Sequence, residues 1–227
     1  MLVRIATGPT GRANSLGEFG MTSDSNPIVS LSEFTYKRGT EIYGEKESAE
    51  YVYQVKSGAV RSYKLLADGR RQIGAFHLAG DIFGLENSAS HRFTAEAIIE
   101  TTVRLIRRQS LELVADHDLV VAKNLLSMTT TSLRHAEDHM LLLGRKTSLE
   151  RVAAFLIEMD KRLTAAGIMA LPMSRRDIAD YLGLTLETVS RALSRLHELG
   201  ILGFIGSTQR EIVLLDRVQL AHLDLQS

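Results

Sequence analysis

The sequence predicts an α+β fold in three successive parts: a roll of short β-strands, one long helix, and a compact helical head closed by a β-hairpin. Three observations carry this. Between Phe34 and Arg108, short runs of β-branched and aromatic residues alternate with glycine turns. From Leu111 to Leu143, apolar residues recur every seven positions. From Ser174 to Gly200, two amphipathic stretches with helical spacing flank a glycine.

Composition bounds what these parts can do. A chain of 227 residues has room for one large domain or two small ones, each with its own core. The 27 basic and 27 acidic residues cancel, so no global basic field exists and nucleic-acid binding would need a local cluster of Lys and Arg. The chain has no cysteine, which removes disulfides, thiol nucleophiles and cysteine-held zinc or iron–sulfur clusters. No apolar run reaches membrane length, and the first residues lack the apolar centre of a signal peptide, so the expected compartment is the cytoplasm, with no membrane partner.

Residues 1–30 are rich in Gly, Ser, Thr and Asn with scattered apolar residues, and are expected to form a mobile extension. Residues 31–110 are expected to form the roll. Strands are predicted over Phe34–Lys37, Glu41–Tyr43, Tyr51–Ser57, Ala59–Leu65, Arg71–Leu78, Phe93–Ala97 and Thr101–Arg107, with Gly39, Gly58, Gly69 and Gly80 between them. Lys56–Ala59 and Ala67–Arg70 read as hairpin turns, and Asp68-Gly69 suits a turn with positive φ at both central positions. Short antiparallel strands at this spacing predict a small barrel or jelly roll.

Residues 111–144 are expected to be one uninterrupted helix. Leu119, Leu126, Leu133 and Met140 form one row, and Ala122, Thr129, Ala136 and Leu143 form a second row three residues later. This is an a/d seam over more than three heptads, and it predicts a parallel homodimer. Gly144–Thr147 is a candidate hinge. Residues 145–227 are expected to form the head. Ser148 is the expected cap of a helix that buries Val152, Phe155, Leu156, Met159 and Leu163, followed by a loop from Thr164 to Ala170.

The centre of the head is SRRDIADYLGLTLETVSRALSRLHELG. Ser174 can cap the first helix with Asp177 at the capping-box position, and Thr185 can cap the second. Ile178, Ala179 and Leu182 face inward from the first helix, and Leu186, Val189, Leu193 and Leu196 from the second. Glu187, Thr188, Ser190, Arg191 and Arg195 face outward. This is the layout of a helix-turn-helix, whose second helix enters the DNA major groove. Arg191 can donate to guanine O6 and N7, Glu187 can accept from cytosine N4, and Ser190 can touch a base edge or the backbone. Arg175 and Arg176 suit phosphate contacts. Ser174, Thr185, Leu186, Thr188 and Arg195 support the reading helix or the backbone contact. Ile201–Ile205 and Glu211–Leu215 read as a two-stranded wing, with Ser207 and Arg210 near phosphates, and Arg217–Leu223 as a closing helix. The bland reading of the outer face is an exposed helix with an i,i+4 Glu–Arg pair.

At these residues the sequence resembles the Crp–Fnr superfamily of bacterial transcription regulators. Glu187-Thr188-Val189-Ser190-Arg191 matches its E-x-x-S-R pattern, and Leu171–Thr185 is similar to the FixK-like branch. The resemblance spans about Phe34 to Leu215. It implies a cyclic-nucleotide-binding-like β-roll, a dimerisation helix and a winged helix-turn-helix. It further implies an activator of low-oxygen respiration or nitrogen-fixation genes that reads a TTGA-like palindrome and contacts RNA polymerase. Some FixK-like regulators carry a cysteine where Ser174 stands, so an oxidation switch at that position cannot operate in this chain.

Two further chemistries are tested against the sequence. Cyclic-nucleotide sensors follow the last roll glycine with Gly-Glu and a loop ending in Arg-Ser or Arg-Thr. Here Gly80-Asp81 leads to a short loop without glycine from Asn87 to His91, and Phe93 follows Arg92, so the phosphate clamp is incomplete and no effector is expected. The FixK-like resemblance implies the same. The alternative is a ligand-gated regulator whose roll binds a cyclic nucleotide or another small anion; an adaptor using the helix pair is a third. His77, His91, His117, His135, His139 and His197 show no metalloprotease pattern, and His135 with His139 at i,i+4 would need a third ligand, so neither metal nor cofactor is expected. No catalytic motif is present, and the chain is not expected to be an enzyme.

Overall fold

A computed structural model of the chain describes residues 31–145 and 147–225; the expected N-terminal extension lies outside them, as does Lys146 of the expected hinge. The roll contains β1 (Leu31–Tyr36), β2 (Glu41–Tyr43), β3 (Tyr51–Ser57), β4 (Ala59–Leu65), β5 (Arg71–Leu78), β6 (Ile82–Phe83), β7 (Thr94–Ala97) and β8 (Thr101–Arg107). They form two antiparallel sheets, ordered β1-β8-β3-β6 and β2-β7-β4-β5. Tyr43, Tyr53, Val55, Val60, Phe83, Ala95 and Val103 fill the space between them. The short β6 was not signalled by the sequence, because two residues carry no period.

The two expected hairpins have different fates. β4 and β5 pair from Ala59↔Leu78 to Leu65↔Arg71, as expected for consecutive strands. Of the Asp68-Gly69 pair only Gly69 has positive φ, because the connection is longer than a two-residue turn, and Leu66 N–H donates to the Arg70 carbonyl. β3 and β4 lie in different sheets, so Lys56–Ala59 is a corner and not a hairpin. Gly58 sits there with φ +93°, and a Cβ would come within 2.5 Å of the Glu100 carbonyl oxygen. Only glycine fits both demands.

The long helix is two helices, α1 (Arg108–His117) and α2 (Leu119–Arg145), which corrects the uninterrupted helix expected from Leu111. Asp118 causes the break. Its backbone is extended (φ −124°, ψ 104°), and its Oδ1 accepts from the Val120 and Val121 N–H groups at 2.8 and 3.3 Å, an N-cap to α2. Val52 and Ile106 of the roll hold Leu111, Val114, Val121 and Met128 of these helices.

The head contains α3 (Ser148–Leu163), β9 (Thr164–Ala165), β10 (Ile168–Ala170), α4 (Arg175–Leu182), α5 (Leu186–Glu198), β11 (Leu202–Ile205), β12 (Glu211–Leu214) and α6 (Arg217–Leu225). Thr147, not Ser148, caps α3, in a capping box with Glu150. Gly144 and Arg145 of the expected hinge belong to α2. The expected loop Thr164–Ala170 is a small hairpin that extends the wing into a sheet ordered β11-β12-β10-β9. The head's core is continuous with the roll: Phe76 of β5 meets Phe155 and Tyr181 with ring centroids 6.3 and 5.1 Å away.

Candidate nucleic-acid interface

The reading head is built by local signals that close on each other. Ser174 Oγ accepts from the Asp177 N–H at 3.2 Å while Asp177 Oδ2 accepts from the Ser174 N–H at 3.0 Å, the reciprocal capping box. Gly183 ends α4 in the left-handed region (φ +63°), which turns the chain in two residues. Thr185 Oγ1 then accepts from the Thr188 N–H at 3.2 Å and starts α5. Val189, Ala192, Leu193 and Leu196 are buried on the inner side of α5, with Leu186 half-buried. This leaves the other side no freedom: Glu187 and Arg191 are exposed, and Ser190 is half-buried between them.

The electrostatics of that outer side suit DNA. The Glu187 carboxyl is held below its ordinary pKa by hydrogen bonds from its own backbone N–H and from Thr185, with Arg176 and Arg191 adding their charge. It is therefore an ionised acceptor at neutral pH. Arg191 makes no ion-pair contact among the described residues, so its fork remains available. Arg176 is exposed beside it. Arg175 differs: it donates to Gln209 in the wing and lies over the Phe204 ring at 5.7 Å, tying α4 to β11. Arg195 is paired with Glu198 at 3.4 Å, both exposed.

In the chain taken alone, Leu119, Leu126, Leu133 and Met140 are each between 59% and 68% exposed, a line of large apolar side chains along α2. In the second row Ala122 is half-buried, Thr129 and Ala136 are exposed, and Leu143 is half-buried near Gly183 of the head. α2 thus faces inward with Val121 and Met128 and outward with the seam.

A cavity of about 420 Å³ opens in the roll, bordered by Tyr43, His77, Asp81, Phe83, Arg92 and Arg162. Some of its charges are engaged with one another. Arg162 pairs with Asp81 and, at 3.1 Å, with Glu158. The Arg92 backbone N–H donates to Glu86 Oε1 at 3.3 Å, while its guanidinium has no ion pair among the described residues. Burial pushes the His77 pKa down to about 4, and its Nε2 lies 2.8 Å from Ser62 Oγ, so the ring is neutral at pH 7. His139, one of the two i,i+4 histidines, stacks on Tyr181 at 4.1 Å and bonds its carbonyl at 2.9 Å. No group of three metal-ligating side chains occurs among the described residues. No helix there is long and apolar enough to cross a membrane.

Sequence reading missed one cluster. Arg61 of β4 and Arg71 of β5 reach across to the head. Arg61 donates to Asp177 at 2.8 Å and to Glu96 at 2.5 Å; Arg71 donates to Asp177 at 2.6 Å and lies 2.7 Å from Asp180. Asp177 is only 3% exposed. Burial raises its pKa, but the Ser174 hydrogen bonds and the charges of Arg61 and Arg71 outweigh this and hold it low. The only sequence signal here was the capping box.

Comparison with known proteins places both halves. Residues 33–118 match the cyclic nucleotide-binding domain family, and residues 150–223 match the Crp-like helix-turn-helix domain. The nitrogen fixation regulation protein FixK of Rhizobium meliloti (strain 1021) is 45% identical over 74% of this chain and 76% of that protein. Its counterpart in Azorhizobium caulinodans is 44% identical over 83% and 77%. The structure of FixK2 from Bradyrhizobium japonicum superposes with a TM-score of 0.84 and 68% identity, covering 87% of this chain and 99% of that one.

Proposed function

The chain belongs to the Crp–Fnr superfamily of transcription regulators, in its FixK-like branch, and from that premise we propose that it is a cytoplasmic homodimeric activator of nitrogen-fixation or low-oxygen respiration genes, reading a TTGA-like palindrome without a small effector. One observation carries the reading: α5 buries Val189, Ala192, Leu193 and Leu196 on its inner side and leaves Glu187 and Arg191 exposed with Ser190 half-buried between them, and the guanidinium of Arg191 has no ion pair among the described residues. Arg191 reads guanine, Glu187 reads the cytosine strand, and Ser190 adds a base or backbone contact. Arg176 supplies a phosphate contact; Ser174, Arg175, Thr185, Leu186 and Thr188 hold the helix pair and wing in place, and Arg195 flanks the backbone.

The seam Leu119, Leu126, Leu133, Met140 with Ala122, Thr129, Ala136 and Leu143 supports the dimer. Pairing α2 with its copy sets two α5 helices about one turn of DNA apart, roughly 34 Å, which a palindrome matches. The names of its relatives support the nitrogen-fixation role. Independence of an effector rests on the roll, where Phe93 follows Arg92 and the other arginine of the cavity, Arg162, is already paired with Asp81 and Glu158. Once bound, the dimer contacts RNA polymerase.

Selection from a random duplex pool with the purified protein, without nucleotide, tests this. Enrichment of TTGA-N6-TCAA is expected, followed by activated run-off transcription from a promoter carrying it. Enrichment only when a cyclic nucleotide is added would contradict effector independence.

A further inference from the structure

We infer that the junction between roll and head is a binding site for a small phosphate-class anion, gripped by Arg38, Arg61, Arg71 and Arg210. A cavity of about 210 Å³ lies there, bordered by these four arginines together with Ser174 and Asp177. It is separate from the roll cavity and from the outward side of α5.

The charge balance points to an anion. Guanidinium groups stay protonated at any physiological pH. The carboxylates that answer them are Glu96, Asp177 and Asp180, and these bind only Arg61 and Arg71. Arg38 and Arg210 have no ion pair among the described residues. Four cations against three carboxylates leave one positive charge over. Arg61 Nε is also buried without an acceptor among the described residues, an N–H that burial normally forbids unless something binds it.

Geometry and size narrow the ligand. The four arginines come from the β1–β2 connection, β4, β5 and the wing, so donors approach from several sides. A tetrahedral oxyanion offers an oxygen to each, and the guanidinium fork matches phosphate oxygens in pairs. Pockets for whole small molecules run from about 300 Å³ upward. This one suits inorganic phosphate or the phosphoryl group of a small ester whose remainder extends into solvent. Because the site joins β4 and β5 to the start of α4, an occupied site adds a bridge between roll and head.

The test needs no DNA, so it fails or succeeds separately from the DNA-reading assignment. Full-length protein is titrated calorimetrically with inorganic phosphate at constant ionic strength, with chloride as the control salt. One saturable site per chain is expected. In Arg38→Gln, an exposed position that bears no structural ion pair, phosphate affinity falls about tenfold or more, and in Arg210→Gln it falls as well. Arg38→Lys keeps part of the affinity, as a point charge would. Competition by a small phosphomonoester would identify an esterified natural ligand; its exclusion would leave inorganic phosphate. Absence of saturable binding, or binding that neither Arg38→Gln nor Arg210→Gln weakens, would overturn the site.

Discussion

The two sides of the helix pair α4–α5 use the same residue types for opposite ends. On the side toward the roll, Asp177 and Asp180 meet Arg61 and Arg71 at 2.6–2.8 Å, and every carboxylate has a partner. On the side toward solvent, Glu187, Arg176 and Arg191 stand exposed, and the forked donor of Arg191 has no ion pair among the described residues. A charge whose partner lies in the same chain holds the fold; a charge without one is available to a ligand. The difference lies in what surrounds each residue, since nothing in the residue types distinguishes the two sets.

The largest effect should come from the paired side. Asp177→Ala removes the side-chain half of the α4 capping box and takes one carboxylate from each of two partly buried guanidiniums, leaving Arg61 with Glu96 and Arg71 with Asp180. It should cost about 2–4 kcal/mol of stability, read as a lower midpoint in urea unfolding, between a lost cap at about 1 and a broken buried pair at about 3–5. Arg191→Ala on the open side should leave that midpoint unchanged. Equal loss from both substitutions would erase the contrast between the two sides.

Next comes specificity. Arg191→Ala should reduce discrimination between the palindrome and scrambled DNA by about 1–3 kcal/mol, read in competition titrations. Unchanged discrimination would remove Arg191 from base reading.

Acid should then separate roll from head. The His77 pKa is pushed down to about 4 by burial, below the ordinary value near 6.5, so the unfolded chain binds the proton first. Stability supplied by neutral His77 is complete above pH 6.5 and is lost as pH falls toward 4, at about 1 kcal/mol per unit. Asp177, held low, keeps its contribution above the ordinary carboxylate range and loses it only as pH falls further, through its folded value. Hydrogen exchange should show β5 of the roll loosening before α4; the reverse order would contradict these assignments.

The smallest effect belongs to Arg176. Arg176→Ala should weaken binding to all sequences alike and reduce the salt slope by about one, without altering discrimination.

How far the sequence discloses this depends on range. The Ser174–Asp177 box, the Gly183 turn, the Thr185 cap and the inward side of α5 all rest on residues within a few positions of each other, and local spacing reveals them. The same locality misleads where neighbours compete: Thr147 and Ser148 are both caps by type, and Thr147 takes the role because Glu150 lies three residues after it. Asp118 ends one helix and caps the next inside an otherwise unbroken heptad pattern, because one side chain outweighs the period. The Arg61 and Arg71 contacts to Asp177 and Asp180 join residues more than 100 positions apart, and no pattern along the chain encodes them. The junction cavity is invisible for the same reason.

The central claim is that the exposed side of α5 reads DNA on its own authority, without an effector in the roll. Fluorescence anisotropy with a TTGA-N6-TCAA duplex and a scrambled duplex, without nucleotide and at two salt concentrations, tests it most directly. Tight binding to the palindrome alone, weakening steeply with salt, is expected. Weak and unselective binding that tightens only when a cyclic nucleotide is added would contradict it.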